Sequence, residues 1–149
     1  MDLKIPEALK KAHEALHEEL EKLTRLPGQV AEAARKLTHH LHDHFRKEQE
    51  YALPPLGLLH DLAKGTVTPE MAGVLAMTDR LKAELPTLLS EHLQMTGALH
   101  KLAEVGRKEM RPAAVHFAEA LKLHAEMEEQ VLYPAAMLVG EYVRARLGK

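Results

Sequence analysis

The chain repeats one pattern of residues at a fixed interval of 80 positions. Residues 44–48 read His-Phe-Arg-Lys-Glu, and residues 124–128 read His-Ala-Glu-Met-Glu. Each copy places a histidine and a glutamate four residues apart, which is about one turn of an α-helix. A further histidine precedes each copy, His13 in the first half and His92 in the second, 79 positions apart. The repeat predicts a fold of two similar halves, each with two helices that carry these polar residues.

Apolar residues recur at intervals of three and four in four long segments, which is the period of an amphipathic α-helix. Proline and glycine mark the ends of these segments, because proline lacks the backbone N–H that a helix interior needs. Four long helices are predicted, from Pro6 to residues 26–28, from Gln29 to Pro54 and Pro55, from Thr68 to Gly106, and from Arg111 to Pro134.

The shorter features of the pattern complete the predicted architecture. Residues 56–63 can form one or two helical turns, Pro86 should kink or split the third helix, and Pro134 should interrupt the fourth. Residues 142–147 suggest a terminal helical extension, and no segment alternates as a strand does. We therefore predict an all-α fold, an up-down-up-down four-helix bundle with a short C-terminal helical extension.

The composition limits the chemistry that the chain can perform. Its 149 residues are predicted to form a single domain, 1–149, and no cysteine is present, so any metal must be bound by nitrogen and oxygen. A net charge of −2 gives no reason to expect a nucleic acid or an anionic membrane as partner. Without a signal peptide or a long apolar run, we expect a cytoplasmic protein, and no protein partner is indicated.

The repeated histidines and glutamates have the spacing of metal ligands. A histidine can bind one ion while the carboxylate one turn later bridges to a second ion about 3.5–4 Å away. Two helices of this kind, with one more histidine from each of the other two helices, supply ligands for two ions. The predicted metal ligands are His13, His44, Glu48, His92, His124 and Glu128.

The same offset of about 80 residues distinguishes the four predicted histidine ligands from the other seven histidines of the chain. A ligand of a symmetric site should have a counterpart in the other half, and His39, His42, His60, His100 and His116 have none. These five are predicted to lie on the surface. His40 either holds a ligand carboxylate or is exposed, whereas Tyr51 and Tyr133 are expected to be packing residues rather than redox partners. The alternative for the matched histidines is that they are exposed or are satisfied inside the core without a metal.

The pattern resembles the hemerythrin-like family, whose HHE cation-binding domain has a first-helix histidine followed by histidine, three residues and glutamate, twice over. The resemblance extends from about Leu9 to Pro134 and includes the motifs His-Phe-x-x-Glu at residues 44–48 and Leu-Tyr-Pro at residues 132–134. It implies a four-helix bundle with a non-haem di-iron centre. The positions that match are His13, His44, Glu48, His92, His124 and Glu128.

The chain departs from the oxygen-carrying hemerythrins at two positions. Thr96 stands where they have a second third-helix histidine, and Glu128 with Glu129 stands where they have an aspartate. His17 follows His13 by four residues and is the counterpart of Thr96 under the repeat. We therefore hypothesise that His17 is a fifth histidine ligand, which would complete one ion and leave the other open to a small ligand.

Histidine and carboxylate ligands at higher coordination number favour iron, with zinc or manganese as substitutes. Occupancy should fall as the pH drops through about 6.5, because a ligating imidazole must be neutral. We expect a protein that binds dioxygen or nitric oxide for sensing, storage or carriage, and assign no catalytic residue. The alternative is a redox protein or enzyme that reduces peroxide or nitric oxide or donates iron in stress repair, and a structural metal bundle is a third reading.

Two other metalloprotein patterns match less well. Residues 13–17 read His-Glu-Ala-Leu-His and fit the HExxH pattern of zinc proteases, but no strands are predicted to form a substrate cleft. Ferritin-like di-iron bundles need a Glu-x-x-His word on two helices, and only Glu14 with His17 supplies one. Both families are therefore disfavoured.

Overall fold

A computed structural model of the protein describes residues 3–149, which form helices and connecting turns with no strand among them. The prediction of an all-α fold is confirmed. The α-helices are α1 (Glu7–Thr24), α2 (Gln29–Lys47), α3 (Leu59–Ala63), α4 (Val74–Lys108), α5 (Pro112–Met127) and α6 (Tyr133–Leu147). The other helical turns are two π-helical turns, Glu48–Ala52 and Glu128–Leu132, and two 3₁₀ turns, Pro54–Leu58 and Pro69–Gly73.

Helices α1, α2, α4 and α5 form the predicted four-helix bundle, in which neighbouring helices are antiparallel. The start of α2 meets the end of α4, where Glu109 accepts hydrogen bonds from the backbone of Gln29 and Val30. Gly106, near the end of α4, likewise lies against Ala114 at the start of α5. Short connections between successive helices favour this up-down-up-down order.

The buried faces of these helices follow the sequence periodicity closely. Leu37 and Leu41 of α2, and Leu99 and Leu102 of α4, are at most 2% exposed and lie in one core cluster. A second apolar cluster around Leu53, Leu81 and Tyr133 lies beyond it along the bundle. The histidine and glutamate residues of the repeat lie between these two apolar clusters, where Phe45 of the first and Tyr133 of the second contact their rings.

Of the two outcomes predicted for Pro86, a kink or a split of α4, the split is wrong, because α4 continues for 35 residues. The α-helical pattern of α5 does stop before Pro134, at the π turn Glu128–Leu132, and Pro134 lies in the first turn of α6. Proline costs about 3 kcal/mol inside a helix. Pro86 is exposed, while Leu81 and Leu88 on either side are fully buried. Their burial offsets the lost hydrogen bond and keeps α4 continuous.

The predicted C-terminal extension is α6, which packs antiparallel to the first half of α4. Thr78 of α4 contacts Gly140 of α6, and Arg144 binds Asp79 at 2.6 Å. A further ion pair joins Lys82 to Glu141. Helix α4 thus packs against α6 with its first half and against α5 with its second. Within residues 3–149, no helix is long and apolar enough to cross a membrane.

Candidate metal centre

The structure brings the six residues predicted from the repeat into one buried cluster. Each of the four bundle helices contributes a histidine, and each of the two π turns begins with a glutamate. The histidines are 2–9% exposed, and the glutamates are at most 1% exposed. The six-residue cluster consists of His13, His44, Glu48, His92, His124 and Glu128.

The four histidines form two pairs across the bundle. The Nε2 atoms of His13 and His124 lie 3.0 Å apart, and those of His44 and His92 also lie 3.0 Å apart. Each pair joins one histidine that precedes a repeat copy to one histidine inside the other copy. The pairing has the approximate twofold symmetry that the 80-residue repeat predicts.

Glu128 lies between the two histidine pairs. Its Oε1 atom is 3.1 Å from Nε2 of His92, while its Oε2 atom is 3.3 Å from Nε2 of His124 and 3.5 Å from Nε2 of His13. Glu48 places Oε1 3.1 Å from Nε2 of His44. Two groups with metal-ligand spacing result, one of His13, His124 and Glu128 and the other of His44, His92 and Glu128.

The nitrogen atoms within each histidine pair are close enough to share a hydrogen bond or to bind one cation together.

The carboxylates of the cluster lack the hydrogen bonds that a buried charge needs. Both oxygens of Glu48 and the Oε2 atom of Glu128 are buried and have no hydrogen-bond partner among the described residues. A buried carboxylate without a partner is strongly unfavourable. Cations between the histidine pairs would remove that cost, so the residues present fit a pair of metal ions.

The two π turns place the glutamates in the same way. In the first, Leu53 donates its backbone N–H to the carbonyl of Glu48 at 2.9 Å, and in the second, Tyr133 donates to the carbonyl of Glu128. Both bonds span five residues instead of four. Each π turn ends two residues before a proline, Pro54 or Pro134, which has no N–H to continue an α-helical pattern. π turns inside α-helices occur frequently at functional sites.

Burial and neighbouring charges set the protonation of the histidines. Burial lowers the pKa of His13 and His92, and it lowers the pKa of His124 to about 4. Burial also acts against protonation of His44, but the nearby carboxylates of Glu48 and Glu91 outweigh it and raise the pKa. Three of the four imidazoles are thus held in the neutral form that binds metal.

Two residues at the cluster were missed by the sequence reasoning, and a third was assigned only a packing role. His44 donates Nδ1–H to Glu91 at 2.9 Å, and His92 donates Nδ1–H to Glu129 at 2.8 Å. The third is Tyr133, whose hydroxyl is 3.4 Å from Nε2 of His92. Burial and the charge of Glu48 raise the pKa of this phenol. Tyr133 packs as predicted, but it also reaches the cluster. The adjacency of Glu91 and Glu129 to His92 and Glu128 was the available signal.

His17 lies outside the six-residue cluster. Its side chain is exposed and meets the ring of Phe45 edge-on, with ring centroids 4.7 Å apart. Partial desolvation of the ring and the charge of His13 lower the pKa of His17. Coordination by His17 requires its ring to turn away from Phe45 and stays a prediction. Glu14 is exposed too, so the HExxH pattern assembles no zinc site in this structure.

The remaining histidines agree with the offset argument. All five that were predicted to lie on the surface are exposed: His39, His42, His60, His100 and His116. His40 is also exposed, which agrees with the second of its two predicted roles. Tyr51 is buried and packs under the guanidinium of Arg80, whose Cζ lies 4.3 Å from the ring centroid. Tyr51 is thus a packing residue.

A four-helix bundle with histidine and glutamate ligands from facing helices is a class of cation-binding protein. The chain belongs to the hemerythrin family, because the model of the hemerythrin HHE cation binding domain matches residues 4–136. This match confirms the family resemblance seen in the sequence, and five residues of the cluster, all except Glu48, form the two groups that could hold cations. No curated protein and no solved structure matches the chain.

Proposed function

We propose that the protein binds a pair of iron ions and uses an open coordination position on one of them to bind dioxygen or nitric oxide, for sensing, storage or carriage. The position of Glu128 carries this proposal. Its two oxygens face different histidine pairs, at 3.1 Å from His92 and 3.3 Å from His124. One carboxylate between two pairs of imidazoles is an arrangement for two cations that share a ligand.

The protein's own residues would hold the irons and control access to them. His13 and His124 would bind one ion through Nε2, and His44 and His92 would bind the other. Glu128 and Glu48 would lie between them. Iron, when bound, supplies the redox chemistry and the open coordination position. Phe45 and Tyr133 pack against the imidazoles and limit the entry of water.

Anaerobic reconstitution with ferrous iron tests this function. We expect two irons per chain and a visible spectrum that changes reversibly when dioxygen or nitric oxide is admitted and removed. One iron per chain, or a spectrum that does not respond to either gas, would contradict the proposal. Zinc or manganese in a preparation must first be removed with a chelator, since both can occupy histidine and carboxylate ligands.

Replacement of the shared carboxylate gives a sharper test. Glu128→Ala is expected to abolish binding of both irons, because it removes one oxygen from each group of ligands. Glu126→Ala provides the control, since Glu126 lies two residues away on the exposed face of α5. Iron per chain, measured after gel filtration, should fall from two to none in the first variant and stay at two in the second. Retention of both irons by Glu128→Ala would refute the shared role.

A redox function is the second candidate, and Tyr133 favours it. This buried phenol, 3.4 Å from Nε2 of His92, is an oxidisable group with a proton to donate beside the cluster. Reduction of peroxide or nitric oxide would use such a group. Iron donation in stress repair would need neither an oxidisable phenol nor its proton. Irreversible oxidation of the reconstituted protein with consumption of peroxide or nitric oxide, and loss of that activity in Tyr133→Phe, would establish the redox function instead.

A further inference from the structure

One outward-facing stripe of the molecule carries most of its exposed apolar side chains. Within residues 3–149, seven large apolar side chains are exposed, and four of them lie along α5, the π turn Glu128–Leu132 and α6. These four, 44–67% exposed, form the α5–α6 stripe: Leu123, Met127, Val131 and Leu138. Monomeric proteins rarely expose a contiguous apolar patch larger than a few hundred Å². The α5–α6 stripe is therefore a candidate contact surface.

The π turn keeps this stripe straight. The chain is helical without a break from Pro112 to Leu147. In a regular α-helix, Leu123 and Tyr142, which are 19 residues apart, would point about 100° away from each other. The π turn holds about one extra residue, which removes most of that rotation. The stripe and the half-buried Tyr142 therefore share one face of the helix over a length of about 28 Å.

Two grooves border the stripe, one near each end. The first, of about 280 Å³, lies between α1 and α5, and Ala12 and Leu123 are among its lining residues. The second, of about 300 Å³, lies between α3 and α6, and Leu59 and Leu138 are among its lining residues. Each groove thus has an exposed leucine of the stripe at its side. The same face offers both projecting apolar side chains and spaces that can receive them.

The two grooves carry opposite charges. Glu19 lines the α1–α5 groove and is exposed. At the α3–α6 groove, the guanidinium of Arg146 lies over the ring of the lining residue Tyr142, with Cζ 5.5 Å from the ring centroid. Arg146 donates hydrogen bonds to the Tyr142 hydroxyl at 2.7 Å and to the carbonyl of Gly65 at 3.4 Å, and both acceptors are uncharged. A surface that is acidic at one end and basic at the other is complementary to a second copy of itself in the opposite direction.

We propose that the α5–α6 stripe and its two grooves form the interface of an antiparallel homodimer with twofold symmetry. The α1–α5 groove of each copy meets the α3–α6 groove of the other, so that Glu19 faces Arg146 of the other copy. Val131, near the middle of the stripe, lies close to the twofold axis. The surface is about 28 Å long and two helices, or about 20 Å, wide, so each copy buries about 600 Å². A total of about 1,200 Å² is at the lower end of the range for specific interfaces, which indicates a dimer that dissociates on dilution.

Sedimentation equilibrium over a range of protein concentrations measures this association. We expect an average mass that rises with concentration from the 16.7 kDa of one chain to twice that value. Leu138→Glu should weaken the association by about 100-fold, because a twofold interface contains the substitution twice. Leu93→Glu is the matched control. Leu93 is 76% exposed on α4, outside the stripe, so its replacement should leave the association unchanged.

Disulfide cross-linking tests the antiparallel order. The chain has no cysteine, so each variant carries a single thiol. Val131→Cys should form a disulfide between two chains on mild oxidation, because both copies of residue 131 lie near the axis. Leu138→Cys should not, since residue 138 is seven residues from residue 131 and its two copies are about 20 Å apart. Cross-linking of both variants would indicate parallel chains and contradict the proposal.

Charge reversal tests the pairing of the grooves. Glu19→Arg and Arg146→Glu should each weaken the association by about tenfold, because each places like charges at both ends of the interface. The double variant should recover the wild-type association, since opposite charges then face each other again. A general loss of stability would not be rescued in this way, so a double variant weaker than either single variant would contradict the pairing.

A chain that stays at 16.7 kDa up to millimolar concentration would overturn the dimer, as would equal weakening by Leu138→Glu and Leu93→Glu. Binding of a monomeric chain to phosphatidylcholine vesicles, lost in Leu138→Glu, would assign the stripe to a lipid surface instead. Far-ultraviolet circular dichroism shows whether each variant folds. If Leu138→Glu does not fold, cross-linking of Val131→Cys decides the proposal. None of these measurements depends on bound metal, so the dimer and the proposed function can fail separately.

Discussion

At the residue scale, Glu48 shows the free-energy cost of burying the charged groups of this centre. Its carboxylate is fully buried, and neither oxygen has a hydrogen-bond partner among the described residues. Its neighbours are four imidazoles, of which three have a lowered pKa. Such a group destabilises a fold unless a cation is bound beside it. In the metal-free protein, the residues of the cluster therefore lower the stability of the fold, and a bound cation would offset that cost.

The role of His17 can be decided by one substitution. The repeat predicts a ligand, whereas the structure shows an exposed ring against Phe45. Because of this position, we expect His17→Ala to leave the number and the affinity of bound cations unchanged when the metal-free protein is titrated with Co²⁺. His13→Ala, one turn earlier, should lose one cation. A weaker Co²⁺ step in His17→Ala would show that the ring turns inward on binding and would support the sequence hypothesis.

At the element scale, the start of α2 depends on a carboxylate from another helix. Glu109, which follows α4, accepts hydrogen bonds from the N–H groups of Gln29 and Val30 at 2.9 and 3.0 Å. These are the first amides of α2, which have no partner within that helix. A negative charge at this end is favourable, since the helix dipole is positive there.

This contact predicts a pH dependence of stability. Hydrogen bonds from Gln29 and Val30 lower the pKa of Glu109 below its ordinary value of 4.5. The stabilisation is therefore present above pH 4.5 and is lost as the pH falls through the lower folded-state value. Glu109→Gln should reduce the urea midpoint near pH 7, and the difference from wild type should shrink in acid. The exposed Glu119→Gln should differ little at either pH, and a pH-independent deficit in Glu109→Gln would contradict this account.

The close packing of α6 against α4 requires a glycine at position 140, opposite Thr78. A Cβ on Gly140 would lie 2.6 Å from Cβ of Thr78, so the helices would have to separate. Overpacking of this kind costs about 1–3 kcal/mol, which exceeds the gain of up to about 1 kcal/mol that alanine gives a helix. Gly140→Ala should therefore lower the free energy of unfolding in urea. Gly97→Ala, in an open position on α4, should raise it, and equal stabilisation by both would show that α6 packs loosely.

For the whole molecule, folding and metal binding are separable. Three apolar clusters hold the helices together, and the first two lie on either side of the six-residue cluster. A chain of about 150 residues buries about 68–70% of its surface on folding, enough for a stable core. The metal-free protein should thus remain folded.

Removal of the metal with a chelator tests whether the protein folds independently of metal binding. Chelation should lower the melting temperature while the far-ultraviolet circular dichroism stays helical. Each cation stabilises by about 2.7 kcal/mol when its free concentration is 100 times the dissociation constant. Glu128→Ala should melt at the same temperature with and without metal. Loss of helical structure on chelation would show that the cations are needed to form the bundle.

The sequence predicted most of the fold and the six residues that converge. Helix positions follow from apolar residues three and four apart, and proline and glycine near the ends mark boundaries such as the start of α5 at Pro112. Repetition then distinguished His44 and His124 from the isolated histidines. Both inferences use spacing along the chain, and local backbone geometry turns that spacing directly into positions on a helix face.

Other features depend on which helices pack together and on where along the bundle their side chains meet. Three features each involve segments that are distant in sequence. They are the hydrogen bonds of His44 and His92 to glutamates, the groove between α1 and α5 beside Ala12, and the contact of His17 with Phe45. The position of Pro86 within a continuous α4 is likewise settled by packing that outweighs local preference. The sequence by itself determined which residues could bind cations. The tertiary structure decided how each is held, because hydrogen bonds and solvent access at a buried centre depend on side chains that only the packed bundle brings together.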